Sequence, residues 1–257
     1  MREYTVPSPV AYLDGAAATS QGRDYKRRLL EALDPRPGLV VLDVGCGPAT
    51  DLGALADAVG QQGRVIGIDN DPVMVDLATG RTRDRPTIEV RIGDAHALPL
   101  PDRSVDRARA DRVLQHLEDP RRALAEFHRV LRAGGMVGLA EPDWDTLVID
   151  DVEPDPAQAL ARFIGARVRN RAIGRQLARL CTGAGLELST VEATAIVLRE
   201  PGTAEQVLGL RRNAVRAVRS GVLTESAANG LVERLETGPV LASFVVWTVT
   251  ATALSAR

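Results

Sequence analysis

Two cysteines, Cys46 and Cys181, are all that this chain of 257 residues contains. That is too few for a disulfide framework or a cysteine-built zinc site, so reduced thiols and no metal are expected. Aromatic residues make up only 3%, and Lys26 is the single lysine among 32 basic residues. An arginine preference carried along the whole chain reads as a compositional bias rather than a functional signal. Long apolar runs are missing too. The stretch from Phe244 to Leu254 is interrupted by Thr248, Thr250 and Thr252 and falls short of the roughly 20 residues that cross a bilayer. Residues 1–10 hold two prolines and a glutamate without the apolar segment of a signal peptide, so a cytoplasmic protein with no membrane partner is expected. A net charge of -2 argues against a protein that grips nucleic acid through many phosphates.

What is present is ordinary globular material, 45% hydrophobic and 26% charged, with enough chain for one large domain or one elaborated domain. Charge is uneven: residues 1–150 carry 24 acids and 19 bases, and residues 151–257 carry 10 and 13. From residue 24 to 135 helical and strand patterns alternate as in βαβ units. Helices are expected over 24–33, 50–59, 72–79 and 120–131. Strands are expected over 39–44, 64–68, 88–92, 105–110 and 136–140. Arg107 and Arg109 are unexpected in a core strand; one reading has their stems on the sheet and their guanidiniums on carboxylates. After Glu141 the rhythm changes. Residues 141–156 read as a long loop over the sheet's end, followed by helix carrying Phe163, Ile164, Val168 and Ile173 and by a short helix over 176–181. A strand over 186–198, helices over 203–219 and 224–236, and a last strand over 244–254 complete the pattern.

The most informative segment is Val41-Leu42-Asp43-Val44-Gly45-Cys46-Gly47-Pro48. A strand running into a glycine turn and then a helix brings backbone N–H groups and a positive helix end to the sheet's carboxyl edge, where nucleotide-like ligands sit. Its D-x-G-x-G pattern differs from the G-x-G-x-x-G of dinucleotide-binding folds. Asp69 ends the second strand, where an acid meets a ribose diol, and Asp94 ends the third. Each has a structural alternative: Asp43 can cap the following turn, Asp94 can form an Asx-turn, and Met74 can be plain helix packing.

The motifs VLDVGCGPATD (41–51), VIGIDND (65–71), IGDAHALPLPDRSVD (92–106), VLQHLEDP (113–120) and HRVLRAGGMVGLAEPDW (128–144) resemble the class I S-adenosylmethionine-dependent methyltransferases. The likeness is greatest to the small-molecule group of quinone-biosynthesis and natural-product tailoring enzymes. It is specific over about 24–145 and loose over 175–254. It implies an α/β doubly wound, mostly parallel sheet of seven strands, with N-terminal helices and a helical insertion between the last two strands. Within one domain of residues 1–257 it implies a lid (1–35), a cofactor-binding core (36–145) and cap elements (146–175 and 200–240).

The implied cofactor is S-adenosyl-L-methionine. Asp43, Gly45 and Gly47 would line its methionine part, with Cys46 and Arg112 in the same set and no reactivity assigned to the thiol. Asp69 would hold the ribose, Asn70 and Met74 would flank the adenine, and Asp94 with Ala95 would meet its amino edge.

The transferred methyl comes from the cofactor, so a protein base is optional. His116 is the first candidate, with packing against the cofactor loop as its alternative role, and Asp143 and Glu141 follow. His96 is expected near the adenine and His128 on the surface. Acceptor contacts are expected from Tyr12, Tyr25, Glu141 and Trp144, with Tyr4 nearby. Arg162, Arg169, Arg171, Arg175 and Arg179, together with Arg211, Arg212, Arg216 and Arg219, form either a solvated face or an anion site. The expected activity is methylation of a small acceptor of secondary metabolism at oxygen. Carbon or nitrogen methylation, a non-methylating cyclase and a binding partner are the alternatives, and a homodimer is open. Ala110-Asp111-Arg112-Val113 is unlike the N-P-P-aromatic signature of nucleic-acid methyltransferases. A dehydrogenase is disfavoured by the missing glycine fingerprint and by the lack of a tyrosine–lysine pair.

Overall fold

The computed structural model describes residues 20–254; Tyr4 and Tyr12 lie outside them. The alternation read from the sequence becomes a seven-stranded sheet in the order β3-β2-β1-β4-β5-β7-β6. Its strands are β1 (Val40–Val44), β2 (Arg64–Asp69), β3 (Ile88–Ile92), β4 (Val105–Asp111), β5 (Leu131–Ile149), β6 (Leu186–Leu198) and β7 (Ala242–Ala253). The first five are parallel, and β7 runs antiparallel to both β5 and β6.

Helices α1 (Ser20–Leu33), α2 (Leu52–Val59), α3 (Pro72–Thr82) and α4 (Pro120–Val130) fill the crossovers of the core. Asp71 and Asp119 cap α3 and α4, accepting from the N–H groups of Val73 and of Arg121 and Arg122, each ahead of a proline in the first turn. Then come α5 (Pro154–Ala166) and α6 (Ile173–Gly183), and between β6 and β7 the insertion α7 (Pro201–Leu208), α8 (Leu210–Arg219) and α9 (Glu225–Thr237).

Two expectations are overturned. The acidic, proline-bearing stretch after Glu141 is not a loop over the sheet's end, because β5 continues to Ile149. Pro142 pairs in register with Val246 of β7, and the ladder shifts register beyond it, between Asp143 and Val148. At that bulge the Thr146 hydroxyl accepts the Val245 N–H at 2.8 Å and donates to the Asp143 carbonyl at 2.6 Å, standing in for a lost rung. The helix expected over 203–219 is two helices, broken at Gly209, whose φ of 58° only glycine adopts freely.

One apolar cluster lies between the sheet and α4 and α6, with Phe127, Leu124, Leu177 and Val137 buried. A second joins α1, the distal halves of β5 and β7, α5 and the α7–α9 insertion into a cap. Gly138 lets α1 lie close on β5, since a Cβ there would meet Leu29 at 3.1 Å and Leu33 at 3.3 Å.

Candidate active site

Strand alternation decides what faces the carboxyl edge. In β4, Ala108 and Ala110 enter the core, whereas Arg107, Arg109 and Asp111 project to the other face, toward α1. Arg107 Nε donates to the Leu33 carbonyl at 2.7 Å, capping the C-terminal end of α1. Arg109 is buried, with its guanidinium 3.6 Å from Asp43, 3.0 Å from Asp51 and 3.4 Å from Asp111. The reading of stems on the sheet and guanidiniums on carboxylates therefore holds for Arg109, while Arg107 reaches carbonyls instead.

Lys26, from α1, completes the cluster at 2.5 Å from Asp51 and 2.9 Å from Asp111, and the Tyr25 hydroxyl donates to Asp111 at 3.0 Å. The cleft between β1 and β4 is lined by the turn Gly45–Pro48, by the acids Asp43, Asp51 and Asp111, and by the bases Lys26, Arg109 and Arg112.

Burial lifts the Asp43 carboxyl to about 6 despite Arg109. At Asp51 burial is outweighed by Arg109 and Lys26, and at Asp111 by Lys26, Arg112 and Arg109, so both are held below the ordinary carboxylate range. Burial and the Asp111 carboxylate push the Tyr25 phenol upward. The Cys46 thiol is likewise pushed up, by burial and then by Asp43 and Asp69, which keeps it unreactive. Two non-glycine residues at this rim, Ala49 and Arg112, hold φ of 69° and 59°, strain of about 1–3 kcal/mol each of the kind that accumulates at functional sites.

The glycine turn supplies room rather than donors, contrary to the expected N–H cradle. The N–H groups of Gly45 and Cys46 are taken by the Ile68 carbonyl at 2.7 and 3.1 Å, and that of Gly47 by Asp69 at 2.8 Å. Gly45 has a φ of 69°, and a Cβ there would lie 2.3 Å from Val113. Asp69 also accepts from the Asp71 N–H at 3.0 Å, so it anchors the turn while lying at the β2 tip.

Among the other anticipated residues, Met74 and Ala95 are buried, and Asn70 and Asp94 are exposed at the β2 and β3 tips. Asp94 forms the Asx-turn, accepting the His96 N–H at 2.8 Å and facing His96 Nδ1 at 2.7 Å. These hydrogen bonds, the backbone one first after which burial opposes, keep its carboxyl low.

His116 sits exposed on a single 3₁₀ turn, Leu114–His116, with its pKa lowered by partial burial and by Arg112. The two acids of β5 do not join it. Glu141, expected at the acceptor, is fully buried and accepts the N–H groups of Val113, Leu114 and Gln115 at 2.7, 2.5 and 3.3 Å. Burial pushes its carboxyl to about 8, against those same donors. Asp143, expected as a base, is buried and paired with Arg175, whose Nη2 lies 2.6 Å away. Odd-numbered residues here face α6, away from the cleft, so Glu141 positions the His116 turn from beneath and Asp143 fastens α6.

Trp144 is also taken up by packing. Its ring stacks on Phe244 at 4.9 Å and its Nε1 donates to Gln115 at 2.8 Å, bracing the same turn. Tyr25 is 4% exposed and contributes wall rather than open contact. Lys26, Asp51, Arg109 and Asp111 are the residues that sequence reasoning missed. The lone lysine and the charged face of a central strand were the signals for three of them.

A profile described as a methyltransferase domain matches residues 42–139. An uncharacterized 37.1 kDa protein in transposon TN4556 of Streptomyces fradiae is 50% identical over 98% of this chain and 73% of its own length. The nocamycin O-methyltransferase of Saccharothrix syringae is 33% identical over 56% of this chain, which spans only 58% of that enzyme. Among solved structures, a SAM dependent methyltransferase from Aquifex aeolicus superposes with a TM-score of 0.60 at 18% identity, covering 98% of this chain and 100% of that one. The chain belongs to the class I S-adenosyl-L-methionine-dependent methyltransferases.

The family's cofactor is S-adenosyl-L-methionine, and the cleft's chemistry fits it. A ligand carrying an ammonium, a carboxylate and a sulfonium needs both signs of charge at close quarters. The cleft sets three carboxylates and three cationic side chains, paired with one another, around a glycine turn. No group of histidines, cysteines and acids that could hold a metal occurs among the described residues, nor a helix long and apolar enough to cross a membrane.

Proposed function

We propose that this methyltransferase methylates an oxygen of a small hydroxylated acceptor of secondary metabolism. The observation that carries the reading is a zwitterion-matched cleft at the β1/β4 carboxyl edge, next to a turn that presents His116. The nocamycin enzyme, named for O-methylation, adds support for oxygen. Bound S-adenosyl-L-methionine supplies an electrophilic methyl group. Asp43, Asp51, Asp111, Lys26 and Arg112 would hold the amino-acid part, Gly45 and Gly47 would give it room, and Asp69 would take the ribose. Asn70, Met74, Asp94 and Ala95 would surround the adenine.

His116 takes the acceptor's hydroxyl proton on an imidazole nitrogen. A pKa below the ordinary 6.5 keeps that nitrogen free at neutral pH. Glu141 and Trp144 hold the turn that aims it. The domain reading follows, with α1 as the described part of the lid over a core of 36–145 and with cap elements over 146–175 and 200–240. A cytoplasmic monomer or homodimer is compatible with it.

Calorimetric titration with S-adenosylhomocysteine and with NAD, followed by methyl transfer to hydroxylated aromatic compounds, tests the reading. Binding of the first, none of the second, and transfer to oxygen are expected. His116→Ala should keep the binding and lose about 100-fold in turnover. Absence of S-adenosylhomocysteine binding, or binding with no transfer to any hydroxyl, overturns the proposal. Equal turnover in His116→Ala removes the histidine from the chemistry.

A further inference from the structure

Arg212, Arg216 and Arg219 lie at i, i+4 and i+7 of α8, on one helix face. The end of α5 packs against that helix and adds Arg167, whose guanidinium sits 5.6 Å from the Phe163 ring centre. Among the described residues none of the four forms an ion pair, although Arg211 beside them pairs with Glu236. The nearby acid Glu205 accepts the Arg211 N–H at 3.0 Å through Oε2, while its Oε1 is buried with no hydrogen-bond partner and forms no ion pair with the arginines. Arg212 Nε is buried with no hydrogen-bond partner. Arg216 feels burial and then Arg167, Arg212 and Arg219, which together pull its pKa below the ordinary value, with no carboxylate opposing them. Arg167, Arg216 and Arg219 are exposed and Arg212 is half-buried; four cations side by side with no ion pair among them repel one another, and such an arrangement accepts a ligand of opposite charge from solvent.

The segment that carries Arg167 runs on to the turn that bears His116. Asn170 is three residues beyond Arg167, a chain reach of roughly 10 Å. Its side-chain amide donates to the Leu114 and Leu117 carbonyls at 2.8 Å each, and its N–H donates to the Gln115 carbonyl at 3.0 Å. These are the residues of the His116 turn. The Trp144 N–H donates to the Arg171 carbonyl at 2.8 Å, and a Cβ on Gly165 would lie 3.1 Å from the Trp144 carbonyl. The segment bearing Arg167 is therefore fastened to the catalytic rim.

We propose that Arg167, Arg212, Arg216 and Arg219 form an anion site in the cap that receives a carboxylate or phosphate group of the methyl acceptor. This rests on the methyltransferase reading for the ligand's identity, but the site itself is testable without turnover. The substrate class is then an acceptor with a hydroxyl at one end and an acid group at the other, selected by charge at the cap.

The test compares the whole chain with its Arg212→Gln/Arg216→Gln variant. Each is titrated with inorganic phosphate and, separately, with benzoate, at ionic strength held constant with sodium chloride. Saturable binding to the wild type is expected, weakened at least tenfold in the variant, while S-adenosylhomocysteine affinity stays within twofold. Response to phosphate alone marks a phosphorylated acceptor, and response to both admits carboxylates. The variant's melting temperature at low salt should match or exceed the wild type's, since two like charges are removed.

Non-saturable or equal responses in the two proteins overturn the site, and a lowered melting temperature assigns the arginines to structure. Across hydroxybenzoates and their methyl esters, a wild-type preference for the acids that the variant loses through KM supports the acceptor role. No preference overturns it. A wild type that binds phosphate but not S-adenosylhomocysteine sinks the methyltransferase reading and leaves the anion site standing.

Discussion

A guanidinium inside a parallel sheet is tolerable only where its donors meet acceptors and its charge meets carboxylates. Arg109 meets Asp43, Asp51 and Asp111, and each of those acids depends on it in return. Arg109→Met keeps most of the stem's volume but leaves buried carboxylates uncompensated. A loss of about 3–5 kcal/mol is expected, read as a lower urea midpoint at unchanged slope. The loss should grow with pH. Burial has already lifted Asp43 from 3.8 to about 6, so its stabilising protonated form is lost as pH rises through that interval, and removing Arg109 lifts it further. The variant's deficit is therefore larger at about pH 8 than at about pH 5; a pH-independent deficit would place the effect elsewhere. The charge of Arg109 was legible in the sequence, but its reason was not, because Asp51 lies 58 positions away and Lys26 on another element. Glu141 and Asp143 show the converse. Their place near a strand tip was legible, but which face they take depends on a strand continuing past Pro142, and local sequence argues against that continuation.

At the scale of elements, α1 is a clamp more than a wall. Its residues Tyr25 and Lys26 reach Asp111 at the β4 tip, Lys26 also reaches Asp51 just ahead of α2, and the Leu33 carbonyl receives Arg107. The amphipathic pattern over 24–33 made the helix legible, and its apolar face packs as that pattern implies, through Leu29 and Leu33 on Gly138. The polar contacts that fix its position over the cleft were not legible, since a lone lysine in an arginine-rich chain looks like chance. Lys26→Met removes a charge-assisted contact worth about 1.5–3 kcal/mol. Faster amide exchange across 20–33 and a roughly tenfold or greater loss of S-adenosylhomocysteine affinity are expected. Fast exchange with full affinity would make Lys26 a lid fastener only, and unchanged exchange would deny it that role. The α7–α8 break was missed for a different reason: Gly209 sits inside a continuous helical periodicity, and only its left-handed φ ends α7.

For the whole molecule, the question is whether the cap can move or unfold separately from the cofactor core. Strand β5 contributes Val137 and Leu139 to the core cluster and Ala140, Trp144, Leu147 and Ile149 to the cap cluster. Strand β7 does the same, with Val249, Ala251 and Ala253 on one side and Phe244 and Val246 on the other. Two strands paired on both sides of the bulge thus run through both clusters, and loss of either cluster would strip one face from the same ladder. The seven-strand alternation made this architecture legible in outline. The continuity of β5 that welds cap to core was hidden behind its acids and proline. Urea unfolding is therefore expected to be a single transition, coincident by tryptophan fluorescence, which reports Trp144 and Trp247 at the cap junction, and by far-ultraviolet circular dichroism, which reports the sheet. A fluorescence midpoint that precedes the dichroism midpoint would mean that the cap opens on its own. The ladder would then be a hinge, and acceptor entry could proceed by cap opening rather than through the rim beside His116.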